Sequence, residues 1–101
     1  MDINKKASDT IRRLIVASVE NANSGHPGGG MGSADFMHIL FTEFLEYNPS
    51  GRAWDLRDRF FMDPGHMSAL IYSTLTLAGI YRVEDLKRFR SWGSKTPGHP
   101  E

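Results

Sequence analysis

Three of the four histidines sit in one kind of setting. His26 lies in GHPG at 25–28, His66 in PGHM at 64–67 and His99 in PGHPE at 97–101. Glycine lets a ligand come close to the backbone, and proline stiffens a turn. Imidazole donates hydrogen bonds and moves protons near neutral pH. Each stretch therefore reads as a rigid turn presenting an imidazole to something bulky. The blander reading of His66 is a turn histidine bonded to a nearby carbonyl, and of His26 and His99 a solvated loop side chain. Three such loops in one short chain favour the functional reading. A metal site is the competing use of three histidines, but the close His-x-His or His-x-x-x-His spacing of such sites is absent. The fourth, His38, lies inside an apolar-patterned helix and reads as structural.

The elements that must position these loops follow from apolar spacing. Ile3, Ala7, Ile11, Ile15 and Val19 repeat every four residues, with Leu14, Ser18 and Ala22 beside them, which predicts an amphipathic helix ending near 21–23. NSGHPGGG at 23–30 reads as a loop. A second helix is expected over 33–46, with Ser33 as N-cap, Asp35 at the positive end of the dipole, and Phe36, Met37, Leu40, Phe41, Phe44 and Leu45 as its apolar stripe. A charged patch runs from Arg52 to Arg59. The short apolar run Phe60 to Met62 is bounded by turn signals and reads as one buried strand. A third helix is expected over 67–78 with Gly79 as its C-terminal stop, then a short charged helix over 83–89 and a terminal loop. His66 thus falls after a strand and before a helix. Doubly wound sheets bind ligands at that place, and the helix N-terminus favours an anion such as phosphate.

Composition bounds the rest. A chain of 101 residues makes one small domain at most. Lys plus Arg and Asp plus Glu number 12 each, which gives no electrostatic reason to expect nucleic acid or an anionic membrane as partner. The basic run LKRFR at 86–90 is interleaved with acidic and apolar residues and reads as a solvated helix. No apolar run is long enough to span a membrane. The chain has no cysteine, so it has neither disulfides nor thiolate sites, and a reducing, cytoplasmic compartment is expected. A lone strand leaves its amides and carbonyls unpaired. Several helices and one strand therefore predict an α/β fold: the opening part of a parallel-sheet domain, with residues 1–101 as an incomplete N-terminal portion.

ANSGHPGGGMGSADF at 22–36, RDRFFMDPGHMSALIYS at 57–73 and FRSWGSKTPGHPE at 89–101 together closely resemble the N-terminal part of transketolase, in order and at similar spacings. The resemblance runs from about Ile11 to Glu101. It implies a thiamine-diphosphate enzyme of the pentose phosphate pathway that moves a two-carbon ketol unit from a ketose phosphate to an aldose phosphate. It also implies a homodimer with the cofactor across the interface, its diphosphate end held by an α/β domain that begins with this segment. Residue by residue, the resemblance gives His66 the cofactor diphosphate as its contact. It gives His26 a place near the thiazolium and the first carbons of the substrate, aiding proton transfer, and it gives His99 the donor hydroxyls.

This sequence departs from the family in one motif. Many members read Gly-Ala-Pro-Met-Gly where this chain has Gly28, Gly29, Gly30, Met31 and Gly32, a change that removes no functional side chain. The resemblance also implies that the magnesium ligands, the glutamate that activates the aminopyrimidine from the partner subunit, and most groups gripping the sugar phosphate lie beyond position 101. Two readings of different class follow: a segment of an active transketolase, or a truncated non-catalytic remnant or interaction module of the same fold. Dihydroxyacetone synthase, within the same family, fits the same residues.

Overall fold

The computed structural model describes residues 2–51 and 53–100. Arg52, which opens the expected charged patch, and Glu101, which closes the third motif, lie outside the described residues. Among the described residues five α-helices appear in order: α1 (Ile3–Ala22), α2 (Pro27–Gly32), α3 (Ala34–Ile39), α4 (Ser68–Leu77) and α5 (Val83–Lys87). α3 continues into a π-helical turn at Leu40–Phe44, and a 3-10 turn at Gly65–Met67 leads into α4.

α4 is the centre of the packing. Its sequence, SALIYSTLTL, carries no charge, and residues 68–74 are all buried. A helix that is apolar or small all round must be covered all round. α1, α2, α3 and α5 supply that cover. The core joins Ile11 and Ile15 of α1, Ala34 and Met37 of α3, Phe41 of the π turn, Ala69 to Tyr72 of α4, and Leu86 and Phe89 at the far end.

α1 forms where its four-residue periodicity predicts. Asp2 caps its start, accepting from the N–H groups of Asn4 at 2.9 Å and Lys5 at 3.4 Å. Asn23, at φ 52° and ψ 33°, ends it in the left-handed conformation that asparagine tolerates. Ile11 and Ile15 are buried at 1% and 0% exposure, whereas Ile3, on the same expected face, is 70% exposed as the first residue of the helix. Gly79, at φ 83°, ends α4 as expected, and the Ile80 N–H reaches back to the Leu75 carbonyl at 2.9 Å.

Three expectations need correction. Residues 60–62 are not a strand, and no strand forms among the described residues. The run alternates as a strand would: Phe60 packs edge-on to Phe41 at 5.4 Å between ring centroids, while Phe61 is 86% exposed. What it lacks here is a neighbouring strand to complete a ladder, without which extended backbone is not a sheet. The glycine stretch is not simply a loop, since Pro27 opens a six-residue helix. The second expected helix is continuous over 34–44 but starts as an α-helix and changes to π-type bonding at Leu40. Ser33 makes no side-chain cap; its N–H bonds to the Gly29 and Gly30 carbonyls, so it joins α2 to α3 as a connector. Its apolar stripe is narrower than expected, with Met37 and Phe41 buried but Phe36 and Phe44 exposed.

Ile15 lies where α1, α2 and α4 meet, 3.1 Å from where a Cβ on Gly30 would fall. In a full-length chain carrying this segment, Ile15→Ala should lower stability by about 2–5 kcal/mol, the range for emptying a packed aliphatic site. Denaturant titration measures it. A loss under about 1 kcal/mol would mean that α1 is not clamped onto α4 as described.

Candidate active site

The site is built from the three glycine-flanked turns. Gly25 sets the path into the first. Its φ of 134° is one that side chains rarely adopt, and a Cβ there would lie 3.0 Å from Val19 Cγ2 and 3.2 Å from Phe89 Cε2. His26 follows in extended conformation, and Pro27 takes the first helical position, where a missing N–H costs nothing. α2 then contains four glycines in six residues, PGGGMG. Each is poor in a helix interior, by about 1 kcal/mol relative to alanine. Tertiary contacts hold it instead. Gly30 is buried against Ile15 and Leu70, and Gly29 backs onto Met67, where a Cβ would stand 3.0 Å from the thioether sulfur. Arg12 Nε donates to the Met31 carbonyl at 3.1 Å, bracing the last turn of α2 from α1. The same guanidinium reaches Asp35 at 2.6 Å and Asp9 at 3.1 Å. Its hydrogen bond is the main cause holding the Asp35 carboxyl below the ordinary aspartate value, with Ser8 adding to it.

The second turn carries His66. Residues 65–67 wind as a 3-10 turn, closed by the Met67 N–H donating to the Pro64 carbonyl at 3.2 Å. The turn aims the His66 ring at His26, with centroids 4.7 Å apart and planes tilted by 57°. The third turn is strapped down before it reaches His99. Thr96, fully buried, donates from Oγ1 to the Asp85 carbonyl at 2.8 Å, and its own carbonyl accepts from the Arg90 N–H at 2.9 Å. The Pro97 carbonyl accepts from the Tyr72 hydroxyl at 2.7 Å and the Gly98 carbonyl from Ser68 Oγ at 2.5 Å. The His99 ring then lies over Gly65, so closely that a Cβ added there would be 2.7 Å from Nδ1.

All three expected site residues therefore converge on the turn at Gly65–Met67, and all three side chains are exposed. His38 stands apart, its Nε2 2.9 Å from Asn4 Oδ1. A separate apolar cavity of about 330 Å³, walled by Ile11, Phe41, Tyr47 and Leu77 among others, contains none of the three. The cluster offers ring nitrogens beside bare glycine backbone, with open space where a Cβ on Gly28 or Gly32 would fall. That donor set suits an oxygen-rich anion and a sugar-like chain of hydroxyls, so the residues present fit the diphosphate end of the expected cofactor. Among the described residues no group of three or more His, Asp or Glu side chains could hold a metal ion.

The sequence alone does not mark two contributors, Ser68 and Tyr72, whereas Gly65, one of the glycines expected to allow close approach, here seats the His99 ring. The available signal is that Ser68 and Tyr72 are hydroxyl-bearing residues four apart on an uncharged helix, so they share one face.

Comparison with known proteins agrees along the whole chain. The family described as transketolase, thiamine diphosphate binding domain, matches residues 3–101. Transketolase of Bacillus subtilis is 53% identical over 100 residues, covering 98% of this chain and 15% of the relative. That of Staphylococcus epidermidis is 53% identical over 95 residues, covering 94% of this chain and 14% of the relative. Among solved structures, Pichia stipitis transketolase in complex with sedoheptulose 7-phosphate superposes with a TM-score of 0.95 at 50% identity, covering 100% of this chain and 15% of that one. The Campylobacter jejuni transketolase gives 0.91 at 46% identity, covering 100% and 16%. This chain thus spans about 15% of the length of the relatives it matches. With identity of this order and a family match running from residue 3 to residue 101, the chain belongs to the transketolase family, as a stretch of its thiamine diphosphate-binding domain.

Proposed function

We propose that residues 1–101 are the N-terminal portion of a transketolase that transfers a two-carbon ketol unit between sugar phosphates. The observation that carries this is the convergence of His26, His66 and His99 on one glycine turn. Thiamine diphosphate, when bound, supplies the carbanion chemistry that carries the ketol unit. His66 donates a ring N–H to a diphosphate oxygen; a hydrogen bond to a charged acceptor is among the stronger kinds. His26, 4.7 Å away ring to ring, holds and moves a proton on a donor oxygen near the reacting carbons. His99, lying against Gly65, donates to the donor hydroxyls. Magnesium would be held by groups outside this chain, beside the diphosphate whose charge it offsets. The sugar phosphate in the Pichia stipitis complex supports this substrate class, and the homodimer remains part of the proposal. The cysteine-free sequence supports a reducing, cytoplasmic setting.

Alanine variants in a full-length chain carrying this segment separate the three roles. His66→Ala should raise the apparent cofactor constant roughly ten- to a hundred-fold, as follows from losing about 1.5–3 kcal/mol, and saturating cofactor should restore most of the rate. His26→Ala and His99→Ala should each cut turnover by about 10²-fold with little change in cofactor affinity. Turnover within about threefold of the parent for both would remove them from the chemistry.

Gly65 provides a second test. Gly65→Ala puts a methyl where the His99 ring now lies. The ring can swing away, so the fold should hold, but turnover should fall about tenfold or more through misplacement of one reacting partner. Steady-state kinetics alongside thermal unfolding measures both. Parent-like turnover with parent-like stability would show that His99 need not lie against this turn.

A further inference from the structure

Three carbonyls in a row, those of Thr96, Pro97 and Gly98, each accept a hydrogen bond, and the next residue is His99. The last two bonds come from one helix. Ser68 and Tyr72 are four residues apart on α4, so their hydroxyls rise from the same face. Both residues are buried, at 0% and 3% exposure. The Tyr72 ring is itself fixed, stacked on Tyr81 at 5.9 Å and edge-on to Phe89 at 6.1 Å. The same helix is entered through the turn that carries His66. One rigid body therefore presents His66 and grips the strap that presents His99.

We infer that Ser68 and Tyr72 are positioning residues for His99, their hydroxyls forming a two-point latch that sets the distance between the His99 and His66 rings. The carbonyl acceptors fix the strap one and two residues before His99, leaving only its own backbone and side-chain torsions free. Gly65 then gives the imidazole a flat seat. The inference rests on the role assigned above to His99 for its kinetic consequence, though not for its structural one.

Ser68→Ala and Tyr72→Phe each delete one hydroxyl and little else. In the full-length holoenzyme each should lower turnover about three- to tenfold, as a displaced reacting group does, and the pair more. The apparent cofactor constant should stay within about twofold, since His66 is held by its own turn. In a His99→Ala background the same changes should cost nothing further, because residues acting through one group do not add. Hydrogen exchange gives a measure independent of catalysis. Amides of residues 91–100 should exchange about tenfold faster in the double variant, while α1 keeps its protection. Ser68→Ala alone is the milder form if the double variant folds poorly. Losses that multiply with His99→Ala would overturn the inference, as would unchanged exchange at 91–100 or an equal loss of protection in α1. If His99→Ala leaves turnover intact, the catalytic reading of His99 falls and the exchange result alone judges the latch.

Discussion

The burial of α4 is the constraint on which the other features depend. Seven consecutive buried positions, 68–74, without a charge, must be covered on every side. Each large apolar side chain taken fully from water contributes about 1.5–3 kcal/mol, and that term has no direction of its own. Direction comes from polar groups at the edges of the packing. Asn21 Nδ2 donates to the Lys87 carbonyl at 2.8 Å and ties α1 to α5. Arg12 does the same between α1 and the end of α2. Apolar burial supplies the stability, and a few directed bonds choose among the ways of achieving it.

The glycine-rich helix shows the same division of labour. A six-residue helix with four glycines would not persist in isolation, because helix nuclei are costly and glycine adds to the cost. It exists because bare backbone lets α1, α4 and the Met67 side chain approach within van der Waals distance. Bulkier residues would favour the helix more and fit the gap less. The preceding residue, His26, is thereby mounted on something firmer than a loop.

Much of this was legible in the residues. Four-residue apolar spacing located α1, and its buried positions at 11, 15 and 18 fall on the expected face. The spacing of Leu70, Ile71, Thr74, Leu75 and Ala78, with Gly79 as stop, located α4, though periodicity reported one face where packing buries every residue from 68 to 74. The three histidine turns stood out because glycine and proline have few uses beside an imidazole. Their convergence did not stand out, since it arises from contacts between residues 34 and 40 positions apart in the chain, and no local signal encodes such contacts. The expected strand at 60–62 failed for a related reason: a short apolar run between turns reports burial, whereas a strand is defined by a partner elsewhere. α2 was hidden because propensity opposes it and tertiary packing overrules propensity.

The three imidazoles lie at the surface, and solvent governs how strongly they act. A pair of unit charges 4 Å apart interacts by about 1 kcal/mol in bulk water and about 4 kcal/mol where the effective dielectric constant falls to 20. A donor exposed as these rings are meets an anion in surroundings near the first condition. Whatever surface closes over the cluster would strengthen every contact beneath it without adding a single new donor, by expelling water. What this face can hold is thus set by its own geometry and by how much water reaches it.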